Sequence, residues 1–213
     1  MRRLLLLSLL FASAACSVCY HPELDPRAHE ALLRKEVEAA DRAGRRDGAL
    51  ATSLNNLGEL CRASGRTTEA ERYFLRAIDV ESSLGKPDKL NLAISYDNLV
   101  VLYTGTKNFQ AGREASARAL GLLDEGAGHE TVDLAVALSN RGMLELEEAH
   151  LEDAERYVLR SVSILDQPLG AGTWQRRQAL ENLKLVYEKA ARPSDAAAVQ
   201  RRLDDLSRKK APA

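Results

Sequence analysis

Leu50-Ala51-Thr52-Ser53-Leu54-Asn55-Asn56-Leu57-Gly58 is the stretch that decides the fold, because its pattern returns down the chain. Leu92-Ala93 and Leu134-Ala135 repeat its opening dipeptide at steps of 42 residues. Asn56, Asn98, Asn140 and Asn182 keep the step through four copies, and Arg34, Arg76, Arg118, Arg160 and Arg202 through five. No insertion interrupts the spacing. A fixed period of this length marks a solenoid, in which one supersecondary unit is stacked on copies of itself.

The unit reads as two helices. With Ala51 as position one, Leu54, Leu57, Gly58 and Cys61 fall at positions four, seven, eight and eleven, one face of a helix. Ala70, Phe74 and Ala77, at positions 20, 24 and 27, predict a second helix after a turn at Ser64-Gly65-Arg66. Thr68 with Glu71 three residues on reads as a capping box opening that second helix. Small residues at positions eight, 20 and 27 let the two backbones approach closely. Cys61 stands where a core aromatic belongs, so a buried, inert thiol is expected.

Small and large residues in this order resemble the tetratricopeptide repeat (TPR), and the eight residues beyond its 34-residue core resemble the kinesin-light-chain type. Leu54-Asn55-Asn56-Leu57, Leu84-Gly85 and the run from Gly128-His129-Glu130 to Leu134-Ala135 carry that resemblance. It implies an all-α fold, a right-handed α-solenoid of about four helical hairpins with an N-terminal capping helix. The repeats are expected near 50–83, 92–125, 134–167 and 176–206, within one solenoid domain over 27–206 and followed by a polar tail over 207–213.

Later copies depart from the pattern. Repeat two has Gly112 and Ser116 in its second helix, and a Gly near that helix start costs up to about 1 kcal/mol relative to Ala. Repeat three has Arg141 and Glu145 where apolar residues are expected, and repeat four puts Gln200 at position 24, as suits a terminal cap. Upstream, Ala28 and Leu32 fall in step with positions 20 and 24 and predict a lone second helix, although Lys35 breaks the pattern. Gly85-Lys86-Pro87, Gly126-Ala127-Gly128, Pro168-Leu169-Gly170 and Arg192-Pro193 read as linkers.

Met1-Arg2-Arg3 followed by the apolar run from Leu4 to Ala15 has the order and length of an export signal over 1–15, leading into a tether over 16–26. Two cleavage readings stand. Ala12-Ser13-Ala14 fits an ordinary signal peptidase cutting after Ala14, leaving a soluble periplasmic or secreted chain. Ser13-Ala14-Ala15-Cys16 resembles a bacterial lipobox, although Ser13 stands where Leu is usual. That resemblance implies a lipid-modified Cys16, and Ser17 in place of Asp implies an outer-membrane anchor with the chain facing the periplasm. Cys16-Ser17-Val18-Cys19-Tyr20-His21 also approaches a haem-attachment motif, but Tyr20 separates Cys19 from the His that would ligate iron. Cys16, Cys19, His21 and His29 lack the spacing of a zinc site.

A net charge of −1 removes the electrostatic reason to expect nucleic acid as a partner. His129-Glu130 lacks the second His of a zinc-protease helix, and no Gly-Lys-Ser/Thr phosphate loop is present. No catalytic residue, metal site or cofactor is therefore expected, and an enzyme is not. The TPR resemblance places the first helices of the pairs on a concave side that binds a peptide or partner protein. By that resemblance the groove residues are Asn55, Asn56, Asp97, Asn98, Val101, Ser139, Asn140, Met143 and Asn182, with Ile94 and Val136 completing an apolar middle. An Asn amide can bond a peptide backbone, or it can bond a neighbouring helix and fix repeat geometry. A non-catalytic adaptor at the cell envelope is the expectation. The alternative is a structural lipoprotein subunit of an outer-membrane assembly such as a pilus or secretion machine.

Overall fold

The computed structural model describes residues 25–127, 131–167 and 173–208. The signal segment, Cys16 and most of the tether lie outside the described residues, as do Gly128-His129-Glu130, Pro168-Leu169-Gly170 and 209–213. Among the described residues are nine α-helices, α1 (Pro26–Arg42), α2 (Gly48–Ala63), α3 (Thr67–Ser82), α4 (Lys89–Thr106), α5 (Phe109–Ala127), α6 (Val132–Glu147), α7 (Leu151–Leu165), α8 (Thr173–Lys189) and α9 (Pro193–Arg208). They pair as the period predicts: α2 with α3, α4 with α5, α6 with α7, α8 with α9, with α1 packed on α2.

The hairpins share one turn. Position 15 adopts a left-handed backbone in every copy, with φ of 75° at Gly65, 60° at Lys107, 65° at Ala149 and 54° at Ala191. The next N–H then reaches back to the carbonyl at position eleven: Arg66 to Cys61 at 2.8 Å, and Asn108 to Tyr103, His150 to Glu145 and Arg192 to Tyr187, each at 2.9 Å. This is the Schellman closure, which satisfies carbonyls orphaned at a helix end. Only the first copy has the residue that adopts this backbone without strain. Replacing Lys107, Ala149 and Ala191 together with Gly is therefore expected to stabilise the fold by about 0.5–1 kcal/mol per site, read as a raised urea midpoint. No change, or a loss, would show that the turns are not strained.

The helices begin in two ways. Three first helices carry side-chain caps: Asp47 accepts from the Leu50 N–H at 2.9 Å, Asp88 from Leu90 at 2.9 Å, and Thr131 from Leu134 at 3.2 Å. The second helix α3 does not use the expected capping box. It starts at Thr67 with Arg66 as N-cap and no side-chain cap bond, and Glu71 instead accepts from the Tyr103 hydroxyl at 2.6 Å. The tight turn already delivers the chain in helical register, so a cap adds little there. Three boundaries also shift: Gly126 and Ala127 belong to α5, Pro193 opens α9, and Ser207 and Arg208 close it.

The N-terminal helix is present, but in another register. Ala28 and Leu32 are exposed, and the buried face is Leu33, Val37 and Ala40. These keep the spacing of Ala70, Phe74 and Ala77 five residues later than expected, because the chain from Ala40 to Leu50 is five residues shorter than from Ala77 to Leu92. Arg34 thus shares the step of the other arginines in number only. It works as a tie, donating to Glu30 at 2.8 Å, to the Tyr73 hydroxyl at 2.9 Å and to Glu69 at 3.1 Å. Arg66 grips the same Glu30 at 2.7 and 2.8 Å. Those bonds, that of Arg66 foremost, hold the Glu30 carboxyl down at about 2. Elsewhere Arg76 pairs with Asp41, and Arg202 with Asp166, joining neighbouring second helices.

Positions eight and 24 meet in the first, third and fourth hairpins, and their sizes are complementary. A methyl on Gly58 would overlap the Phe74 ring, and one on Gly142 would overlap Val158. Repeat two reverses the pair, with Val100 at position eight and Ser116 at position 24, both 1% exposed. Repeat four makes it polar, Lys184 donating to Gln200 at 2.8 Å. Gly112 has a comparable reason: a methyl there would overlap Leu144 of α6, which crosses the seam to join the core of the first two repeats. Cys61 is fully buried, as expected, and burial pushes its thiol up from the ordinary value. In repeat three an ion pair fills the aromatic's place. Glu145, 2% exposed, accepts from Arg141 at 2.7 Å, and Arg141 lies over the Tyr157 ring at 5.3 Å.

Candidate functional site: the inner wall of the first helices

First helices touch their successors: α2 meets α4, α4 meets α6, and α6 meets α8. Among the described residues, no second helix packs its backbone closely on the next second helix, and long side chains such as Arg76 and Arg202 bridge the gap instead. A stack that is tight on one side and open on the other bends, and its first helices line the inside. The expected groove residues are therefore on the concave wall.

Most of them lie deep in that wall. Asn55, Asn56, Asp97, Asn98, Ser139 and Asn182 are all buried, as are Val101 and Met143 within the apolar packing. Asn140 keeps partial exposure, as do Ile94 and Val136. The amides run between repeats. Asn140 donates to the Asp97 carboxylate at 2.7 Å, and Asn182 donates to the Ser139 hydroxyl at 2.9 Å. In both, position six of one repeat reaches position five of the repeat before. Asn55 instead donates to Ser95 at 2.8 Å. Each such bond adds roughly 0.5–1.5 kcal/mol and fixes the stacking angle. Of the two roles open to the Asn positions, inter-repeat bonding is what these distances display.

The wall carries polar atoms that the fold leaves unused. Among the described residues, Asn55 Oδ1 and Asp97 Oδ1 of the wall are buried with no hydrogen-bond partner, as is Ser161 Oγ on α7 behind it. Burial is the main cause that raises the Asp97 carboxyl to about 7, with Glu59 and Asp133 adding to it and the Asn140 bond opposing. Asp133 is raised as well, chiefly by burial. Two clefts open on the wall. One, between α4, α5 and α6, is bordered by Ile94, Asp97, Leu123, Asp133 and Val136. The other, between α6, α7 and α8, is bordered by Val136, Asn140, Ser161 and Trp174. Trp174 is 42% exposed at its rim.

Sequence reasoning missed Asp133, Ser161 and Trp174. Asp133 reads as an ordinary acidic residue in a helix's first turn, and Ser161 as a small core residue. Trp174, the chain's sole tryptophan, was the one available signal. Glu145, Glu148 and His150 bring three possible ligand atoms within reach of one ion. Their charges are already matched, Glu145 by Arg141 and Glu148 by Arg113, so a divalent cation would enter against two guanidiniums.

Residues 49–125 match the family model of the tetratricopeptide repeat. The chain is an all-α TPR-like repeat protein. Its structure is similar to that of BtubC (BKLC) from P. vanneervenii, with 18% identity over 90% of this chain and 95% of that one and a TM-score of 0.53. It is also similar to a candidate kinesin light chain of Podosopora anserina with nearly identical TPR-like repeats. There the TM-score is 0.66 at 14% identity, over 88% of this chain and 90% of that one. A single-substitution variant of that protein gives 0.68 at 13%, over 86% and 87%. No curated protein matches the chain. At these identities the likeness is one of fold. The TPR-like geometry nevertheless extends past residue 125, since the left-handed turns at Ala149 and Ala191 and the Gly142–Val158 pair repeat what Gly65, Gly58 and Phe74 do.

Proposed function

We propose that this chain is a non-catalytic adaptor that holds a peptide or partner protein along the inner wall, tethered at the cell envelope by a lipid on Cys16. The observation that carries the binding role is the concave wall itself, where Ile94, Val136 and Leu185 leave apolar surface partly open beside the partly exposed Asn140. Partly exposed apolar groups flanked by hydrogen-bonding capacity suit an extended polypeptide. The envelope role rests on the Met1-Arg2-Arg3 signal and the Ser13-Ala14-Ala15-Cys16 segment. Among the described residues no helix is long and apolar enough to cross a membrane, so attachment through the described helices is not by spanning.

One observation favours the bracing subunit instead. Leu75 and Leu159 occupy the same position on second helices and are 49% and 41% exposed. Photo-crosslinking separates the two readings without disturbing the core. With benzoylphenylalanine at Ile94 or Val136, the adaptor is expected to form adducts in cells, and with the probe at Leu75 or Leu159 it is not. The reverse pattern would replace the adaptor with the bracing subunit. A clickable fatty acid is expected to label wild type and to miss Cys16→Ser, and equal labelling would remove the anchor.

A further inference from the structure

We propose that the cleft between α4, α5 and α6 receives the ammonium of a lysine of the bound polypeptide on Asp97, with the lysine stem across Ile94 and Val136 at its mouth. This rests on the inner-wall reading and narrows it to a basic partner.

Asp97 is 6% exposed and borders the cleft. Oδ2 is held by Asn140, and Oδ1 meets no donor among the described residues. A buried carboxylate oxygen without a donor is costly, and a charged donor relieves it best. Asp133 borders the same cleft half-buried, and Glu59 on α2 adds a further negative charge to the field at Asp97. Lys86 and Lys89 border the adjoining cleft with Asp133 rather than this one. The rest of the lining is hydrocarbon, which matches the tetramethylene stem of lysine.

Size decides between lysine and arginine. The free space in the cleft is about 10 Å³, room for about one water-sized group, so only the ammonium enters and the stem stays at the mouth against Ile94 and Val136. A compact ammonium fits it, and a planar guanidinium with five donors does not. The wall outside the cleft agrees in sign. On the first helices Glu59, Glu147 and Glu181 stand against Lys189, and Arg62 already pairs with Glu59 at 2.9 Å.

Acid should weaken this recognition. Burial holds the Asp97 carboxyl near 7, so at pH 6 most of it is neutral, whereas at pH 8 it is charged and can pair with an ammonium. Affinity is expected to rise between those values.

The test is a random-peptide display selection against the purified full-length chain, followed by calorimetric titration of the selected peptides. Inner-wall binders should carry a lysine. They should lose at least tenfold in affinity against Asp97→Asn, and as much when norleucine, which keeps the stem without the charge, replaces the lysine. Asp133→Asn should cost less, about threefold. Asp97→Asn keeps the shape and removes a buried charge, so a thermal melt at least as high as wild type separates lost recognition from lost fold. Peptides that bind the wall but ignore Asp97→Asn, or accept arginine equally well, overturn the lysine cleft and leave the adaptor standing. If no peptide binds the wall, both readings fall together.

Discussion

Asp97→Asn is expected to stabilise the protein at pH 8 and to change little at pH 4. The folded carboxyl titrates near 7, against an ordinary value of 3.8, because burial disfavours its charge. Between those values the native state keeps a proton that the unfolded chain has released, so wild-type stability falls as pH rises from about 4 to about 7. Above 7 the whole cost is present. At about 1.4 kcal/mol per unit of pKa it reaches at most about 4 kcal/mol. Asn has the same shape, can still accept from Asn140 and carries no charge, so the variant escapes that cost. Urea unfolding at pH 4, 6 and 8 reads it directly. The gap should open with pH, and parallel curves at all three values would show that Asp97 is ordinarily solvated.

The second large effect is a pair of substitutions at positions eight and 24 of repeat three. Gly142→Val alone is expected to destabilise by about 3 kcal/mol or more, at the upper end of overpacking costs. Even a methyl there would overlap the Val158 side chain and lie 3.1 Å from the Ala154 carbonyl, so α6 and α7 would have to part. Val158→Ser alone opens a cavity, with a cost on the order of 2 kcal/mol. Together they reproduce Val100 and Ser116, which the neighbouring hairpin already packs at 1% exposure. The double variant should recover most of the loss, with a coupling of at least about 2 kcal/mol in the cycle. Additive losses would mean that the size alternation is incidental and that helix spacing is set elsewhere.

A single hairpin and the wall built from several of them were legible to different degrees. Within a hairpin the pattern is local. Apolar spacing along one helix, a turn residue between two helices and a buried thiol at Cys61 all follow from residues that are neighbours in the chain. Even Gly58 announced itself by its small size at a position that must meet a second helix, where Phe74 now lies against it. Where the period was carried through a linker of different length, it misled: α1 buries Leu33, Val37 and Ala40, since the connection to α2 is shorter than the others. The capping box at Thr68 failed for a related reason, a motif of four residues being overruled by the turn that precedes it.

The sequence by itself determined the helical pairs, their number and order, and which faces join them, because a 42-residue period specifies one unit and requires the next to match it. Only the tertiary structure decided what the asparagines do and where the wall is open. Asn140 meets Asp97 and Asn182 meets Ser139 across a gap of 43 residues, and Asp97 comes to share a cleft with Leu123 and Asp133 on two other helices. Such meetings depend on how closely each hairpin seats on the last. That distance is set by side-chain volumes between units, which no periodicity along the chain records.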